Sequence, residues 1–300
     1  MRVLVAADAV AGLCARDASE VIATAFLDAG AEVAVVPLSD GGEGFADAIV
    51  GVDPHGHLVR PRTLSEMLET LSGKGEPCNG AAATLRVDLT GLVPSAWRAL
   101  TDVDRSRMAE LADATAQRNL VAIVRSGEQT ATLTGLSGRV AERGREDGLG
   151  LGETLAANDA VSLWLESLGL DGTAPGTGAA DGVGAIILAL GGRILSGIEA
   201  LIEGFDMEST VAKADLLVTG TSILDFHAVG GDVVKEVARM GTEALRPVIA
   251  IVGRNFVSSR ELRLAGIESA HAILDGAGDD QPGRAQLAQV AGRVAKSWSW

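Results

Sequence analysis

The sequence predicts an α/β protein: an open parallel three-layer sheet domain formed by both chain ends, with a second α/β domain inserted between them. At both ends, short apolar runs alternate with segments that carry one apolar stripe at helical spacing, whereas the middle is less regular. With 300 residues the chain is long enough for two hydrophobic cores. We therefore predict a Rossmann- or flavodoxin-like domain from residues 1–54 and 206–300, and an inserted domain from residues 55–205.

The first fifty residues have the pattern of a strand–helix–strand–helix unit. Residues 2–7 predict a first strand, and residues 17–29 predict a helix that is stopped by Gly30. The run Val-Ala-Val-Val at 33–36 is typical of a strand that is covered on both faces. The connections are short, which favours a parallel, right-handed pair of strands.

The middle of the chain predicts a mixture of helices and strands. Between residues 125 and 148 the periodicity is weak, so we expect exposed loops with at most one helix. The nearly uncharged region 180–205 predicts a buried helix that is broken at Gly191–Gly192. The remaining elements are predicted as helices at 63–71, 104–117 and 154–168, and strands at 83–89 and 120–124.

The last third returns to clean alternation of strands and helices. The predicted strands cover 216–218, 248–252 and 270–274, and the predicted helices cover 232–240, 258–264 and 284–296. Ligands of open parallel sheets bind beyond the carboxyl ends of the strands. We expect four chain positions to meet at that edge: Asp8, the turn 40–44, the segment 220–225 and Gly253.

The turn after the second predicted strand reads Asp40-Gly41-Gly42-Glu43-Gly44. Glycines allow a positive φ or a close approach of the backbone to a ligand. A helix that starts here directs unpaired N–H groups into the mouth of the turn, where small anions bind. The alternative is an ordinary strand-to-helix turn whose acidic residues interact favourably with the helix dipole.

Composition limits the function classes. The net charge of −15 argues against nucleic acid and anionic membrane surfaces as partners, because binding to phosphate depends on clustered Lys and Arg. Cys14 and Cys78 lie far apart, as expected for reduced thiols of a cytoplasmic protein. We see no signal peptide and no apolar run of membrane length. A homodimer is compatible with the sequence.

Four segments together resemble the glycerate kinase family. The family's P-x-A-D-G-G-E-G-T loop corresponds to Pro37–Phe45, and its A-D-L-V-I-T-G-E-G-R-L-D segment corresponds to Ala214–Asp225. The family's P-G-x-G-A-A-G-G-x-G-A segment is similar to Pro175–Ala185. A fainter match to S-A-T-N-D-G-G lies at Leu155–Val161. The family stretch with D-N-P-L and P-Q-K-G-A motifs has no counterpart before Pro175, so the chain looks like a shortened member.

The resemblance implies ATP-dependent phosphorylation of glycerate with Mg²⁺. It implies substrate contacts by Asp40, Gly41, Gly42, Glu43, Gly44 and Asn158, and nucleotide contacts by Gly220, Thr221, Ser222 and Gly253. It further implies catalytic roles for Asp159 and Asp225, and Asp8 as a metal ligand. For Asp159 the alternative is a helix-terminus carboxylate that accepts from backbone N–H groups. For Asp225 a metal ligand and a turn residue remain open.

The charged residues of the family that are replaced in this chain lie on the nucleotide side. The family's lysine in P-D-S-F-K-G corresponds to Ala11, and the glutamate and arginine of G-E-G-R-L-D correspond to Thr221 and Ile223. A further lysine corresponds to Asp232. Three other cations are candidates to replace them: Lys235, Arg254 and Arg193. The alternative function is therefore a catalytically impaired relative that binds a small hydroxy acid or regulates a paralogue.

Overall fold

The computed structural model describes residues 1–52, 57–73, 84–95, 97–225, 227, 229–278 and 280–298. Their strands are β1 Arg2–Val5, β2 Glu32–Val35, β3 His57–Val59, β4 Thr84–Asp88, β5 Asn119–Val124, β6 Arg193–Ser196, β7 Leu216–Leu224, β8 Val248–Asn255 and β9 Ser269–Ala272. Their α-helices are α1 Ala15–Asp28, α2 Gly42–Ile49, α3 Leu64–Leu71, α4 Trp97–Thr101, α5 Arg105–Thr115, α6 Arg139–Glu146, α7 Leu151–Ser167, α8 Val183–Ala189, α9 Gly197–Gly204, α10 Met207–Lys213, α11 Gly231–Glu243, α12 Ser259–Leu264 and α13 Arg284–Trp298. Short 3-10 helices span Glu128–Thr130 and Ala179–Gly182. None of the helices described combines the length and apolar character needed to cross a bilayer.

The chain divides into two compact units. Unit 1 consists of Met1–Pro54 with Ile198–Trp300, and unit 2 consists of His55–Gly197. The first border falls within 53–56, and Cys78 falls within 74–83; both ranges lie outside the described residues. The second border follows β6, whereas the sequence suggested residue 205. The difference arises because β6 belongs to the sheet of unit 2, so that the chain leaves this unit where the strand ends.

Unit 1 contains a five-stranded sheet in the order β2-β1-β7-β8-β9. Every pair of neighbouring strands is parallel, and the register aligns Val5 with Val218 and Val218 with Ile249. The sheet thus joins strands from both chain ends, and the predicted α/β class is confirmed. The residues of β1 from Val3 onward and most of β7 and β8 are buried, as expected for the central strands of a sheet covered on both faces.

Helices cover both faces of this sheet and complete three layers. On one face, Val218 and Ile251 pack with Ile22 and Phe26 of α1 and with residues of α13. On the other face, residues of β8 and the end of β7 pack with α11 and α12. Alternate residues of one strand thereby serve two different cores, because successive side chains of a strand point to opposite faces.

Unit 2 contains a second parallel sheet in the order β3-β4-β5-β6. Its core combines apolar residues of β4 and β5 with residues of α3, α5, α7 and α8. Trp164 of α7 is 6% exposed, and its indole N–H donates to the carbonyl of Val103 at 3.0 Å. This satisfies the one polar group of the largest core side chain, as buried tryptophans require.

The sequence mispredicted several elements. The prediction of a helix over 180–205 with a break at Gly191–Gly192 is correct in part: α8 and α9 lie in this region and the chain turns at Gly191. The prediction missed β6, which follows the turn and pairs with β5. β3 at His57–Val59 lies where the pattern had indicated no element. The predicted ends of β7 and β8 are too early: β7 continues to Leu224 and β8 to Asn255. Both extensions are held by continued pairing of the two strands, for example Ile223 with Arg254.

Candidate functional site

The carboxyl edge of the unit 1 sheet carries several of the predicted residues. Asp8 follows β1, the glycine-rich turn follows β2, and Asp225 follows β7. Since β2, β1, β7 and β8 are neighbours in this order and run parallel, these positions lie along one edge. We call the four carboxylates of this region the acidic edge: Asp8, Asp40, Glu43 and Asp225.

The turn into α2 needs its glycines for two physical reasons. Gly41 and Gly42 have φ of 138° and 65°, in the range that side chains oppose. Gly44 lies against Ser39, so that a Cβ at this position would stand 2.7 Å from Ser39 Oγ. The Ser39 hydroxyl in turn donates to the carbonyl of Gly41 at 3.1 Å. The positive φ values and the packing against Ser39 together fix the conformation of the turn. Because the glycines have no side chains, a ligand can approach the backbone of the turn closely.

Asp8 interacts electrostatically with Asp40. Burial raises the pKa of the Asp8 carboxyl, and the negative charge of Asp40 raises it further, while the Ala9 N–H that donates to Asp8 opposes the change. Oδ1 of Asp8 lies 2.7 Å from that N–H. Two repelling carboxylates, one of them substantially desolvated, are a charge arrangement that a bound cation relieves.

This arrangement fits Mg²⁺ in its usual mode of binding. The described residues contain no group of three or more His, Cys, Asp or Glu side chains that could hold a metal ion. Mg²⁺ commonly uses one or two carboxylates and completes its shell with water and substrate phosphates. Asp8 with Asp40 offers such a pair, so the donor set suits a metal that arrives with a nucleotide.

The residues predicted for the nucleotide occupy strand interiors more than turns. Gly220 and Thr221 are buried within β7, and Gly253 is buried within β8. A Cβ at Gly253 would collide with the carbonyl of Ser222. A Cβ at Gly220 would press against the carbonyl of Ile251. Close packing of protein atoms accounts for both glycines.

Ser222 and Asp225 reach the end of β7. The hydroxyl of Ser222 donates to the carbonyl of Ala9 at 3.0 Å and so ties β7 to the loop that carries Asp8. Asp225 accepts from the backbone N–H of His227 at 3.0 Å, which is the bond of an Asx turn.

The four positions where the family has charged nucleotide-side residues lie in different surroundings in this chain. Ala11 is 5% exposed with φ of 57°, and Thr221 is 8% exposed. Oδ1 of Asp232 lies 3.5 Å from Nζ of Lys235, so these two residues form an ion pair on the surface of α11. Ile223, in contrast, is half-exposed and apolar.

Of the three candidate replacement cations, only Arg254 lies at this edge of the unit 1 sheet. Lys235 pairs with Asp232 on α11, and Arg193 begins β6 in unit 2. Arg254 is 8% exposed and donates to three backbone carbonyls, those of Asp275, Gly276 and Asp280, at 3.2, 2.6 and 3.1 Å. Within the described residues it forms no ion pair. Its positive charge is therefore held in place by neutral oxygens.

Asn158 and Asp159 belong to unit 2, in the middle of α7. Oδ1 of Asn158 accepts from the N–H of Gly135 at 3.2 Å. Asp159 is exposed within α7, so the alternative of a helix-terminus carboxylate is wrong. Its helical row (i, i+4) contains the exposed leucines 151, 155 and 163. An acidic side chain in an otherwise apolar row is available for chemistry, and its catalytic role stays a prediction.

A polar cavity that the sequence did not predict lies at the carboxyl edge of the unit 2 sheet. The cavity has a volume of about 470 Å³ and lies beyond the ends of β4 and β5. We call it the arginine cavity and define it by five charged lining residues: Arg125, Glu128, Arg139, Glu142 and Asp181. One signal was present in the sequence: Arg125 follows a continuous buried strand directly, in a strongly acidic chain.

The fold places this chain in a class of α/β proteins that are built from two parallel-sheet units. It belongs to the glycerate kinase family, whose model matches residues 84–299. The resemblance inferred from the four segments is confirmed.

Relatives of known sequence agree with this membership. An uncharacterized protein of Mycobacterium bovis is 28% identical over 354 positions, which cover 99% of this chain and 92% of that protein. Since that alignment is longer than this chain, the mycobacterial protein has residues without a counterpart here. Glycerate 2-kinase of Escherichia coli is 31% identical over 105 residues, which are 35% of this chain and 28% of that enzyme.

A solved structure supports the fold. The crystal structure of a protein assigned as glycerate kinase 2, from Salmonella typhimurium LT2, superposes with a TM-score of 0.66 at 17% identity. The match covers 100% of this chain and 97% of that chain. At this identity the likeness establishes the architecture alone.

Proposed function

We propose that this protein transfers the γ-phosphoryl group of ATP to a hydroxyl of glycerate. The observation that carries the proposal is the turn Asp40–Gly44, in a chain that belongs to the glycerate kinase family. Each of its three glycines has a conformational or packing reason, and the turn lies at the edge where open parallel sheets bind their ligands.

In this proposal the acidic edge binds both the acceptor and the metal. Carboxylates of Asp40 and Glu43 accept hydrogen bonds from substrate hydroxyls, and backbone N–H groups at Gly41, Gly42 and Gly44 donate to the substrate carboxylate. Asp8 supplies a ligand to Mg²⁺, which neutralises phosphate charge when it is bound with ATP. Asp225 is the proposed group that orients the acceptor or takes its proton. For Asp159, on α7 of unit 2, we propose a catalytic role from the family resemblance alone.

On the nucleotide side, the proposal assigns the positive charge to Arg254. Phosphoryl transfer depends almost entirely on positioning and on stabilisation of negative charge. The buried guanidinium of Arg254 stands at the end of the strand next to β7. We assign the contact with the nucleotide to Ser222, which is exposed near the end of β7. In this proposal the buried residues Gly220, Thr221 and Gly253 support that surface from below through their close packing.

The test is a product assay with the full chain. Purified protein is incubated with glycerate, ATP and Mg²⁺, and phosphoglycerate is measured by mass spectrometry. We expect product with the wild type and with Asp47→Asn, an exposed carboxylate on the same helix as the turn. We expect product formation to fall at least about 100-fold with Asp40→Asn. Equal rates for the two variants would remove Asp40 from the site.

A second candidate function rests on the replaced cations at Ala11, Thr221, Ile223 and Asp232. In that case the protein binds glycerate, or another small hydroxy acid, without turnover. Glycerate would then raise the melting temperature, ATP with Mg²⁺ would leave it unchanged, and no phosphoglycerate would form. Calorimetric binding of ATP with Mg²⁺ would rule this candidate out.

A further inference from the structure

A second cavity lies in unit 1, between two helices that cover one face of the sheet. It is lined by residues of α11, by the end of α12 and by the turn that leads from α12 to β9. Its volume is about 460 Å³, within the range of about 300–1,000 Å³ that small-molecule sites occupy. The lining residues that the structure describes include none of the acidic edge. We call this space the interhelix cavity.

The floor of the interhelix cavity is apolar. Val234, Ala238 and Ile267 line it and are at most 2% exposed, and all three belong to the core that α11 and α12 form with β7 and β8. The turn approaches α11 closely, since a Cβ at Gly266 would stand 2.6 Å from Oγ1 of Thr242, so the two walls meet here. An apolar ligand group that covers this floor leaves water, which is favourable.

The wall on the side of α12 extends this apolar surface to the solvent. Leu264 is the last residue of α12, lines the cavity and is 79% exposed. An exposed leucine next to a buried apolar floor is a surface that the apolar part of a ligand can cover. The cavity therefore favours a ligand with an apolar body.

The charged residues around the cavity are mostly cations, although the chain as a whole has a net charge of −15. The exposed cations that line it are Lys235, Arg239 and Arg263. Lys235 and Arg239 form ion pairs with carboxylates of α11. Arg263, in the last turn of α12, has no carboxylate partner in the part of the chain that the structure describes. Its planar set of N–H donors is available for an anionic group.

Val229 lines the cavity from the segment between β7 and α11, and its backbone conformation is unfavourable. Its φ of 45° lies in the left-handed region, where a β-branched residue is an outlier. Its N–H donates to the carbonyl of Asp225 at 3.0 Å. Backbone strain of this kind is concentrated at functional sites. The strained residue thus supports the interpretation of the cavity as a binding site.

We propose that the interhelix cavity binds a small monocarboxylate with an apolar body, of the chemical class of a medium-chain fatty acid. The apolar body covers Leu264 and the floor, and the carboxylate pairs with Arg263. Glu243 also lines the cavity and repels a second negative charge, so a monoanion fits better than a dianion or a phosphate. The site is separate from the acidic edge and requires equilibrium binding only, so the inference goes beyond the proposed phosphoryl transfer.

The test is calorimetric titration of the full chain with octanoate. The variant is Arg263→Gln, and the matched control is Arg260→Gln, which changes another exposed arginine of α12 that does not line the cavity. We expect the wild type and the control to bind octanoate equally, and Arg263→Gln to bind it about 10-fold more weakly, as for the loss of one charged hydrogen bond. The proposal is overturned if octanoate does not bind the wild type, or if the two variants have the same affinity.

A second pair of variants tests the apolar part of the site. Leu264→Asn removes the apolar wall, and the matched control Leu245→Asn changes a leucine that is 89% exposed and does not line the cavity. We expect Leu264→Asn to weaken octanoate binding about 5-fold, because apolar contact area is lost, and Leu245→Asn to leave it unchanged. Both side chains are exposed, so both variants should fold. Equal octanoate affinity in the two variants would overturn the proposal.

Two further ligands separate the carboxylate from the apolar body. 1-Octanol lacks the carboxylate, so it should bind the wild type more weakly than octanoate does and should bind Arg263→Gln and the wild type equally. Acetate lacks the apolar body and should not bind measurably. The proposal is overturned if either ligand binds the wild type as tightly as octanoate. Phosphoglycerate is not measured in these titrations, so failure of the kinase assay would leave their result unaffected.

Discussion

The carboxyl edges of the two sheets carry opposite chemistry. The acidic edge of unit 1 carries four carboxylates, and the charge of Asp40 acts on Asp8 strongly enough to raise its pKa. The edge of unit 2 combines arginines with acids, and one of these arginines, Arg125, has no carboxylate partner in the part of the chain that the structure describes. An edge of the first kind suits a metal ion and hydroxyl groups, whereas an edge of the second kind suits an anion with hydroxyls. The same sheet topology thus provides two different kinds of polar site.

The two edges also hold unusual backbone conformations in different ways. At the acidic edge, positive φ values fall on Gly41 and Gly42, where they are nearly free of strain. At the arginine cavity they fall on Ala180 and Asp181, where Glu128 and Arg139 hold them. Mutations that disturb the first edge should therefore affect chemistry, and mutations at the second should also affect stability.

The largest effect on activity is expected for Asp8→Asn. Loss of the charge should lower kcat at least about 100-fold in the kinase assay if Asp8 binds Mg²⁺. Asn can still accept the hydrogen bond from Ala9, so the loop should be retained. Asp47→Asn is the control for a carboxylate remote from this pair. Unchanged kcat in Asp8→Asn would contradict the assignment.

The same variant should gain stability at high pH. Because the pKa of Asp8 is higher in the folded chain than in the unfolded chain, its ionised form destabilises the fold above that raised pKa. Urea unfolding should show Asp8→Asn to be more stable than the wild type at pH 8. The advantage should shrink as the pH falls through the raised pKa and vanish below the ordinary value for Asp. If Asp8→Asn were less stable than the wild type at pH 8, the ionised carboxylate of Asp8 would not be destabilised by its surroundings, and this prediction would be wrong.

The wall of the arginine cavity is closely packed at Gly178. In Gly178→Ala the new Cβ would collide with the carbonyl of Thr132, so we expect a loss of about 3 kcal/mol in the free energy of unfolding. Gly152→Ala on α7 is the control, because no atom lies within 4 Å of its Cβ position and alanine favours a helix by about 0.5–1 kcal/mol. Equal stability of the two variants in urea would mean that the wall of the cavity adapts easily.

Arg139→Gln tests whether that wall depends on its ion pairs. The change removes the partner of Asp181, Glu142 and Glu146, and Arg139 is only partly exposed, so we expect a loss of about 1–2 kcal/mol. Arg107→Gln removes one exposed pair, Arg107 with Glu110, and should cost less than about 0.5 kcal/mol. Thermal unfolding in low salt and in 1 M salt distinguishes the stability losses of the two variants. Screening weakens exposed ion pairs most, so the loss for Arg107→Gln should decrease more in 1 M salt than the loss for Arg139→Gln. A loss for Arg139→Gln no larger than for Arg107→Gln would contradict this role.

The acidic edge could largely be predicted from the sequence, because its evidence is local. The apolar run 33–36 followed by Asp40-Gly41-Gly42 indicates a strand and a glycine turn within a dozen residues. The expectation that this strand is covered on both faces is wrong, because β2 is the edge strand of its sheet and its residues are at most partly buried. The helix N-caps Thr63, Asp104 and Ser258 were likewise included in the helices predicted from 63, 104 and 258. Short-range rules suffice where one segment carries the whole signal.

The arginine cavity could not be predicted in this way. Its walls come from the ends of β4 and β5, from α6 and from the loop before α8, and only the fold brings them together. β6 was missed because four residues are too few to show a period, and the apolar region before it favoured a helix. The late ends of β7 and β8 depend on pairing between segments about thirty residues apart, which neither segment reveals alone.

The smallest effect is expected for Ser222→Ala. Its hydroxyl donates to the carbonyl of Ala9, so the change should cost about 0.5–1 kcal/mol of stability, as for one neutral hydrogen bond. Ser297→Ala is matched, since the hydroxyl of Ser297 donates to the carbonyl of Val294 within α13. Both variants should lose similar stability in urea.

The two serine variants should differ in kinetics. If Ser222 contacts the nucleotide, KM for ATP should rise several-fold in Ser222→Ala and stay constant in Ser297→Ala. If Ser222 only ties the Asp8 loop to β7, kcat should fall slightly while KM for ATP is unchanged. The split between the two constants therefore decides whether β7 contributes to the acidic edge as a binding surface or as its support.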